Sequence, residues 1–310
     1  MELFTLETED HVKVQAYSWI PDKPLAVLQI VHGMMEHAGR YDHFAKWMNE
    51  HQVAVYANDH IGHGLTAKTS EELSDCPRKD DWQRSVSILQ VLNKKIHTEH
   101  SGSPVFLLGH SMGSVMTQTY MMQHGLEYDG FILSGAIRQS ILMASIGIII
   151  AGVLSTIFGP SDRSRLLIFL GYGQYNKKFR PNRTESDWLC SDDNIVDDYI
   201  NSPLCGIPFS NRYYLNFFSG LRYISKHSHL KQIPAGTPIF IFAGSMDPAG
   251  SFGKSPQIIK RLLTKHAHAK VNLNLYPFGR HEMLNEKNRE TVYSDILNWM
   301  GEIRKLKIED

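Results

Sequence analysis

Two short runs of mixed apolar and polar residues open the chain: LFTLE and VKVQAYSW flank the polar stretch TEDH, which predicts an antiparallel hairpin. From Pro24 the pattern changes. Continuous Val/Ile/Leu-rich runs alternate with longer amphipathic stretches: LAVLQIVHG, a helix near Tyr41–His51, VAVYAND, a helix near Trp82–His97, PVFLLGH, a helix from Met112, and GFILSGA. An uninterrupted apolar run marks a strand covered on both faces, and strand–helix repetition marks a mostly parallel sheet with helices on both sides. The rhythm stops after Ala136. It resumes at Pro238 with PIFIFAG, a helix near Gln257–His266, VNLNLYPFG and a last helix near Glu290–Lys305. Residues 1–136 and 238–310 are therefore expected to form one α/β core, and residues 137–237 an inserted cap. The insertion carries few strand signals and an aromatic-rich stretch, YLNFFSGLRYIS, so it is predicted to be mainly helical.

Within the cap, Ile141–Phe158 (ILMASIGIIIAGVLSTIF) lies near the lower length limit of a membrane-spanning helix. A single crossing would separate two halves that read as one fold, so the expectation is a helix buried in the cap's own core. The alternative is a helix with one face lining an acyl pocket and touching a lipid surface. Lys+Arg and Asp+Glu both number 32, which removes any global electrostatic case for nucleic acid or an anionic membrane surface and favours a neutral or zwitterionic substrate. Three scattered cysteines, Cys76, Cys190 and Cys205, suit reduced thiols better than a disulfide framework or metal cluster. The acidic start, MELFTLETED, lacks the basic and apolar pattern of a secretory signal, so a cytoplasmic location is expected.

The chemistry begins at Gly109-His110-Ser111-Met112-Gly113, a G-x-S-x-G directly after a buried-strand run and directly before a helix. Such a turn needs small flanking residues so that the serine can adopt a strained backbone with its Oγ exposed, and the helix N-terminus favours developing negative charge nearby. Serine is a weak nucleophile without a base and an orienting acid. There are sixteen histidines, so position must choose. His281 follows the last strand run and Asp247 the one before it, each just past an apolar run and a glycine. The order Ser111, Asp247, His281 is that of an α/β-hydrolase. Two backbone N–H donors are needed for the oxyanion: Met112, next to the nucleophile, and Met34, in the turn after LAVLQIVHG.

The combined segments resemble the monoacylglycerol lipase and lysophospholipase branch of the α/β-hydrolases. HGMMEHAGRY is similar to its HGxxEHxxRY segment, DHIGHG to its D-x-x-G-H-G turn, GHSMG to its nucleophile elbow and HEMLNE to its histidine loop; RTESDWLCSDDNIVDDYINSPLCG resembles a stretch of its cap. The likeness implies hydrolysis of one acyl chain from a glycerol-based lipid beneath an apolar cap; no cofactor is expected, and the run Ile141–Phe158 adds the expectation of transient contact between cap and membrane or micelle. It also makes Glu36 and Arg40 candidates for the polar end of the substrate site, or else for a loop anchor. Met35 stands where a small residue is common, and Asn201-Ser202 where an acidic residue is usual. A metal hydrolase is rejected: His281-Glu282 is followed by Asn285 where H-E-x-x-H needs histidine, and His32 to His37 is one residue too long for H-x-x-E-H. The remaining alternatives are a general carboxylesterase on short soluble esters, a peptidase or acyltransferase on the same scaffold, and a catalytically silent binding scaffold.

Overall fold

The computed structural model describes residues 1–309, with side chains to residue 305. Its elements in chain order are β1 (Glu2–Glu7), β2 (Lys13–Trp19), β3 (Ala26–Val31), α1 (Asp42–Glu50), β4 (Val53–Asn58), α2 (Asp81–Glu99), β5 (Val105–His110), α3 (Met112–His124) and β6 (Gly130–Ser134). The inserted cap follows with α4 (Ile141–Phe158), α5 (Arg165–Gly171), α6 (Asp193–Asn201), α7 (Asn211–Ser225) and α8 (His227–Leu230). The core then closes with β7 (Pro238–Gly244), α9 (Lys254–Ala267), β8 (Lys270–Tyr276) and α10 (Arg289–Glu309).

The strands form one sheet in the order β1-β2-β4-β3-β5-β6-β7-β8. β1 and β2 pair antiparallel, β2 pairs antiparallel with β4, and every other pair is parallel. Every residue of β3, β4, β5 and β6 is buried, as their uninterrupted apolar runs require, whereas the edge strands β1 and β8 remain partly exposed. One face packs Phe44, Met48, Trp299 and Met300 from α1 and α10; the other packs α2, α3, α9 and, through Tyr213, Phe217 and Leu221, the cap helix α7.

β3 has β4 on one side and β5 on the other, so the chain order reverses at that point. In open parallel sheets the crevice beyond the carboxyl ends at such a reversal collects the functional loops. The loops after β3, β4 and β5 meet there.

The apolar run corrects the sequence-based expectation. α4 is not buried, and it does not line the cavity that Ser111 borders: its mean hydropathy is 2.4, yet only 17% of it is buried. It rests on α7 through its small residues, with Ala144 and Ala151 buried and Gly147 against Phe218, where a Cβ would approach within 2.8 Å. Small residues let the helices approach closely, and that packing turns Leu142, Ile149, Val153, Ile157 and Phe158 outward, each at least half exposed. The Ser140 hydroxyl caps the helix by accepting the Met143 N–H.

Candidate active site

Ser111 sits between β5 and α3 with φ 53° and ψ −117°, outside the regions a serine adopts without strain. Its flanks explain the glycines. A Cβ at Gly109 would collide with the Gly113 carbonyl and Thr117 Oγ1, and one at Gly113 with the carbonyl oxygens of Val31 and His32. The Ser111 N–H is held by the Ser134 carbonyl at 2.9 Å, which ties the turn to β6. Met112 opens α3, so its N–H has no intrahelical acceptor. Gly33 lies against Ser111: a Cβ there would come 3.3 Å from Ser111 Cβ.

Asp247 follows β7, and His281 follows β8. His281 Nδ1 lies 3.0 Å from Asp247 Oδ1, and both side chains are buried. The same Oδ1 accepts the Ala249 N–H at 2.9 Å, so the carboxylate is oriented by its own turn. Burial alone would depress the His281 pKa; the Asp247 carboxylate, by charge and hydrogen bond, more than offsets it and raises the pKa above that of a free histidine. His110 behaves oppositely: burial, then the neighbouring His281, pushes it down to about 4. The His281 ring makes tilted contacts with Trp188 at 5.0 Å and His110 at 4.8 Å between centroids.

Ser111 and His281 line one cavity of about 90 Å³, together with Met34. Its apolar wall comes from α5 and α7, chiefly Leu170, Tyr214, Phe217, Phe218 and Leu221. A second cavity of about 470 Å³ shares Met35, Tyr172, Trp188, Leu189 and Tyr199 with the first and is lined also by Asn176, Asn182, Glu185 and Ser186.

Glu36 and Arg40 belong to a buried charge cluster whose third member, Glu282, the sequence reading passed over. Arg40 donates through Nη1 to Glu36 Oε2 at 2.6 Å and to Glu282 Oε1 at 2.8 Å, and through Nη2 to Glu282 Oε2 at 2.8 Å. Glu36 Oε1 also accepts the Gly33 N–H at 2.5 Å and the Tyr41 hydroxyl at 2.9 Å. Glu36 borders the cavity but its oxygens are occupied, and Arg40 is not among the lining residues. Of the two roles open to them, loop anchor fits the geometry. Burial raises the Glu282 pKa, but the Arg40 guanidinium outweighs it and holds the carboxyl well below the usual range.

The histidine loop is also bonded to the cap. Glu282 N–H donates to the Leu189 carbonyl at 2.8 Å, His281 N–H to the Trp188 carbonyl at 3.4 Å, and Arg280 Nη1 to the carbonyls of Asp187 and Cys190. Ser191 reciprocates by donating its N–H to Glu286 Oε1 at 3.0 Å. The sequence offered only the weak signal of an acid and a base flanking His281. The described residues hold no cluster of His, Cys, Asp or Glu suited to a metal ion.

An eight-stranded sheet of this order, with a serine on the turn after β5 and an Asp–His pair after β7 and β8, defines an α/β-hydrolase. The family model described as serine aminopeptidase, S33, matches residues 22–288, and the chain belongs to that family. It is 25% identical over 285 residues to the monoacylglycerol lipase of Mycolicibacterium smegmatis, covering 91% of this chain and 90% of that one. It is 34% identical over 117 residues to the monoglyceride lipase of Rattus norvegicus, a match that covers 37% of this chain and 36% of the relative. Among solved structures, a thermostable carboxyl esterase from Bacillus coagulans in complex with glycerol superposes with a TM-score of 0.90 at 27% identity, covering 98% of both chains.

Proposed function

We propose that this chain is a serine ester hydrolase that removes a single acyl chain from a neutral glycerol-based lipid, with Ser111 as nucleophile. Ser111 Oγ attacks the ester carbonyl carbon while His281 Nε2 takes its proton. The oxyanion accepts the N–H groups of Met34 and Met112, and Asp247 stabilises the imidazolium through Nδ1. Collapse breaks the ester C–O bond, and His281 returns the proton to the departing alcohol. Water then attacks the acyl-Ser111 carbonyl, His281 accepts its proton, and the carboxylic acid leaves as the proton returns to Ser111 Oγ.

The carrying observation is the buried His281–Asp247 pair, whose histidine lines the same cavity as a strained serine. The apolar wall from α5 and α7 supports an acyl substrate. Neither cavity lining contains a lysine or arginine, and Glu36, Glu185 and Glu282 are the charged groups present, which favours an uncharged alcohol over a phosphate-bearing headgroup. The family's description raises aminopeptidase chemistry as a second reading. It is disfavoured because the two carboxylates beside Ser111 already hold Arg40, leaving none in that cavity to bind a substrate ammonium.

The outward apolar faces of α4 and α5 support transient contact with a membrane or micelle, and three buried thiols without disulfides accord with a cytoplasmic location. The test is kcat/KM across p-nitrophenyl esters of increasing length, monoacylglycerol and lysophosphatidylcholine, with Ser111→Ala as control. We expect monoacylglycerol to exceed lysophosphatidylcholine and the control to be inactive. A preference for acetyl esters would support the plain carboxylesterase instead.

A further inference from the structure

The D-x-x-G-H-G turn, Asp59–Gly64, is left unused by the mechanism, yet it grips the loop after β3 at three points. β3 and β4 are parallel neighbours, so their following loops lie side by side at the carboxyl edge of the sheet. Asp59 Oδ1 accepts the Ala38 N–H at 2.8 Å, while Oδ2 accepts the Leu65 N–H at 2.7 Å and the Tyr17 hydroxyl at 2.8 Å. The His60 N–H donates to His32 Nε2 at 3.0 Å, and the His60 ring lies 3.2 Å, through Nε2, from the His32 carbonyl. His63 Nε2 accepts the Met35 N–H at 3.3 Å. The glycines make room for these contacts. Gly62 and Gly64 have φ of 72° and 48°, and a Cβ on either would collide with the Asp75 carbonyl or with the Asp59 carboxylate.

Met35 is where the grip does most. It is not glycine, yet its φ is 57°, a left-handed conformation that is strained for a side-chain-bearing residue and persists only when its surroundings hold it. Both of its peptide groups are held. The N–H goes to His63, and the carbonyl accepts the Gly206 N–H at 3.0 Å from the cap. Met35 follows directly on Met34, so the bond to His63 fixes the peptide plane between them; the preceding plane, which carries the Met34 N–H, is held at its other end by His32 Nδ1, 2.8 Å from the Gly33 carbonyl. The His63 tautomer is fixed too: Nδ1 lies 3.1 Å from the Ile61 carbonyl, which can only accept, so Nδ1 bears the proton and Nε2 is free to accept. Burial lowers the His63 pKa to about 4, which keeps the ring neutral.

We propose that the Asp59–Gly64 turn is the template on which the oxyanion loop is folded, and that His63 is a positioning residue that aims the Met34 N–H at the transition state. The inference rests on the reading of Ser111 and Met34 given above. Two variants separate the hydrogen bond from the ring volume, since His63 packs against Phe209 and Tyr213. His63→Phe fills the space without an acceptor; His63→Gln keeps an acceptor at similar reach.

On a short p-nitrophenyl ester, His63→Phe is expected to lower kcat by about 10- to 100-fold with KM unchanged, a fraction of the loss seen when an oxyanion donor is deleted outright. Affinity for a trifluoromethyl ketone, whose adduct carries the oxyanion, should fall by the same factor, and His63→Gln should restore most of both. Hydrogen exchange of the amides spanning residues 33–38 should quicken in His63→Phe and stay slow in His63→Gln. Equal kcat in the three proteins, a kcat loss without a matching ketone loss, or unchanged exchange in His63→Phe would each overturn the proposal. The exchange measurement does not depend on Ser111 chemistry. Failure of a fluorophosphonate to label Ser111 in the unmodified protein, with the exchange difference intact, therefore rejects the serine mechanism and leaves the template standing.

Discussion

The loops at the carboxyl edge of the sheet and the α4–α5 roof above them are held by opposite means. Around Ser111, backbone groups and buried side chains are fixed atom by atom: Gly33 by Glu36, Met35 by His63 and Gly206, His281 by Asp247, and Glu282 by Arg40 and Leu189. The roof rests on α7 through small residues and presents large apolar side chains to solvent. Directional contacts lose their energy when an atom is misplaced, whereas apolar packing tolerates sliding. The molecule thus combines a floor built for geometry with a roof built for contact, and substitutions in the two regions should differ in kind.

The largest effect is expected at the floor's chemistry. Asp247→Asn should lower kcat by roughly 10⁴-fold, because the imidazole loses its proper tautomer, while thermal unfolding shifts little. A loss below tenfold in steady-state kinetics would remove Asp247 from its assigned role. Next comes Arg40→Met, which leaves Glu36 and Glu282 buried without their cation; urea unfolding should show a loss of about 3–5 kcal/mol. A loss under 1 kcal/mol would mean that the cluster is dispensable.

Acid should act on the same floor. His63 and His110 have folded pKa values near 4 because burial disfavours their charged forms, below the ordinary histidine value of 6.5. Between those values the unfolded chain binds more protons, so stability falls as pH drops from about 6.5 toward 4, by up to about 3 kcal/mol for each group. His281 has the reverse sign: its raised pKa contributes stability below 6.5 that is lost as pH rises through the folded value. Because the proposed mechanism needs the neutral imidazole, kcat/KM should rise with pH through an apparent pKa above 6.5. Denaturant titrations and rate profiles across this range test both trends.

The smallest effect belongs to the roof. Ile149→Lys, at a side chain 64% exposed, should change stability by no more than about 0.5 kcal/mol and leave hydrolysis of short soluble esters intact, while slowing attack on aggregated long-chain substrate. Equal slowing of both substrates would argue that α4 shapes the cavity after all.

The contrast also explains what the sequence revealed. Strands buried on both faces betray themselves as unbroken apolar runs, and each run ends beside the residue it delivers, so Ser111, Asp247 and His281 could be located one by one. The Arg40–Glu282 pair could not, because its members lie 242 positions apart and an Arg or Glu side chain carries no local sign of its partner. His63 was legible as part of a motif but not as an acceptor, since its role depends on the strained Met35 in a neighbouring loop. The exposure of α4 was hidden for a different reason. A helix apolar all round has no periodic face to read, and only the spacing of Ala144, Gly147 and Ala151 records which side meets α7.

The hydrogen bonds between Asp187–Ser191 and the segment carrying His281 bear on any attempt to exchange caps among related enzymes. A transplant cut at the ends of the insertion would import a foreign clamp for the imidazole. Chimeras that keep the native 187–191 strip and replace only the helices preceding it should preserve the hydrogen bonds that hold His281 while changing what the cavity admits.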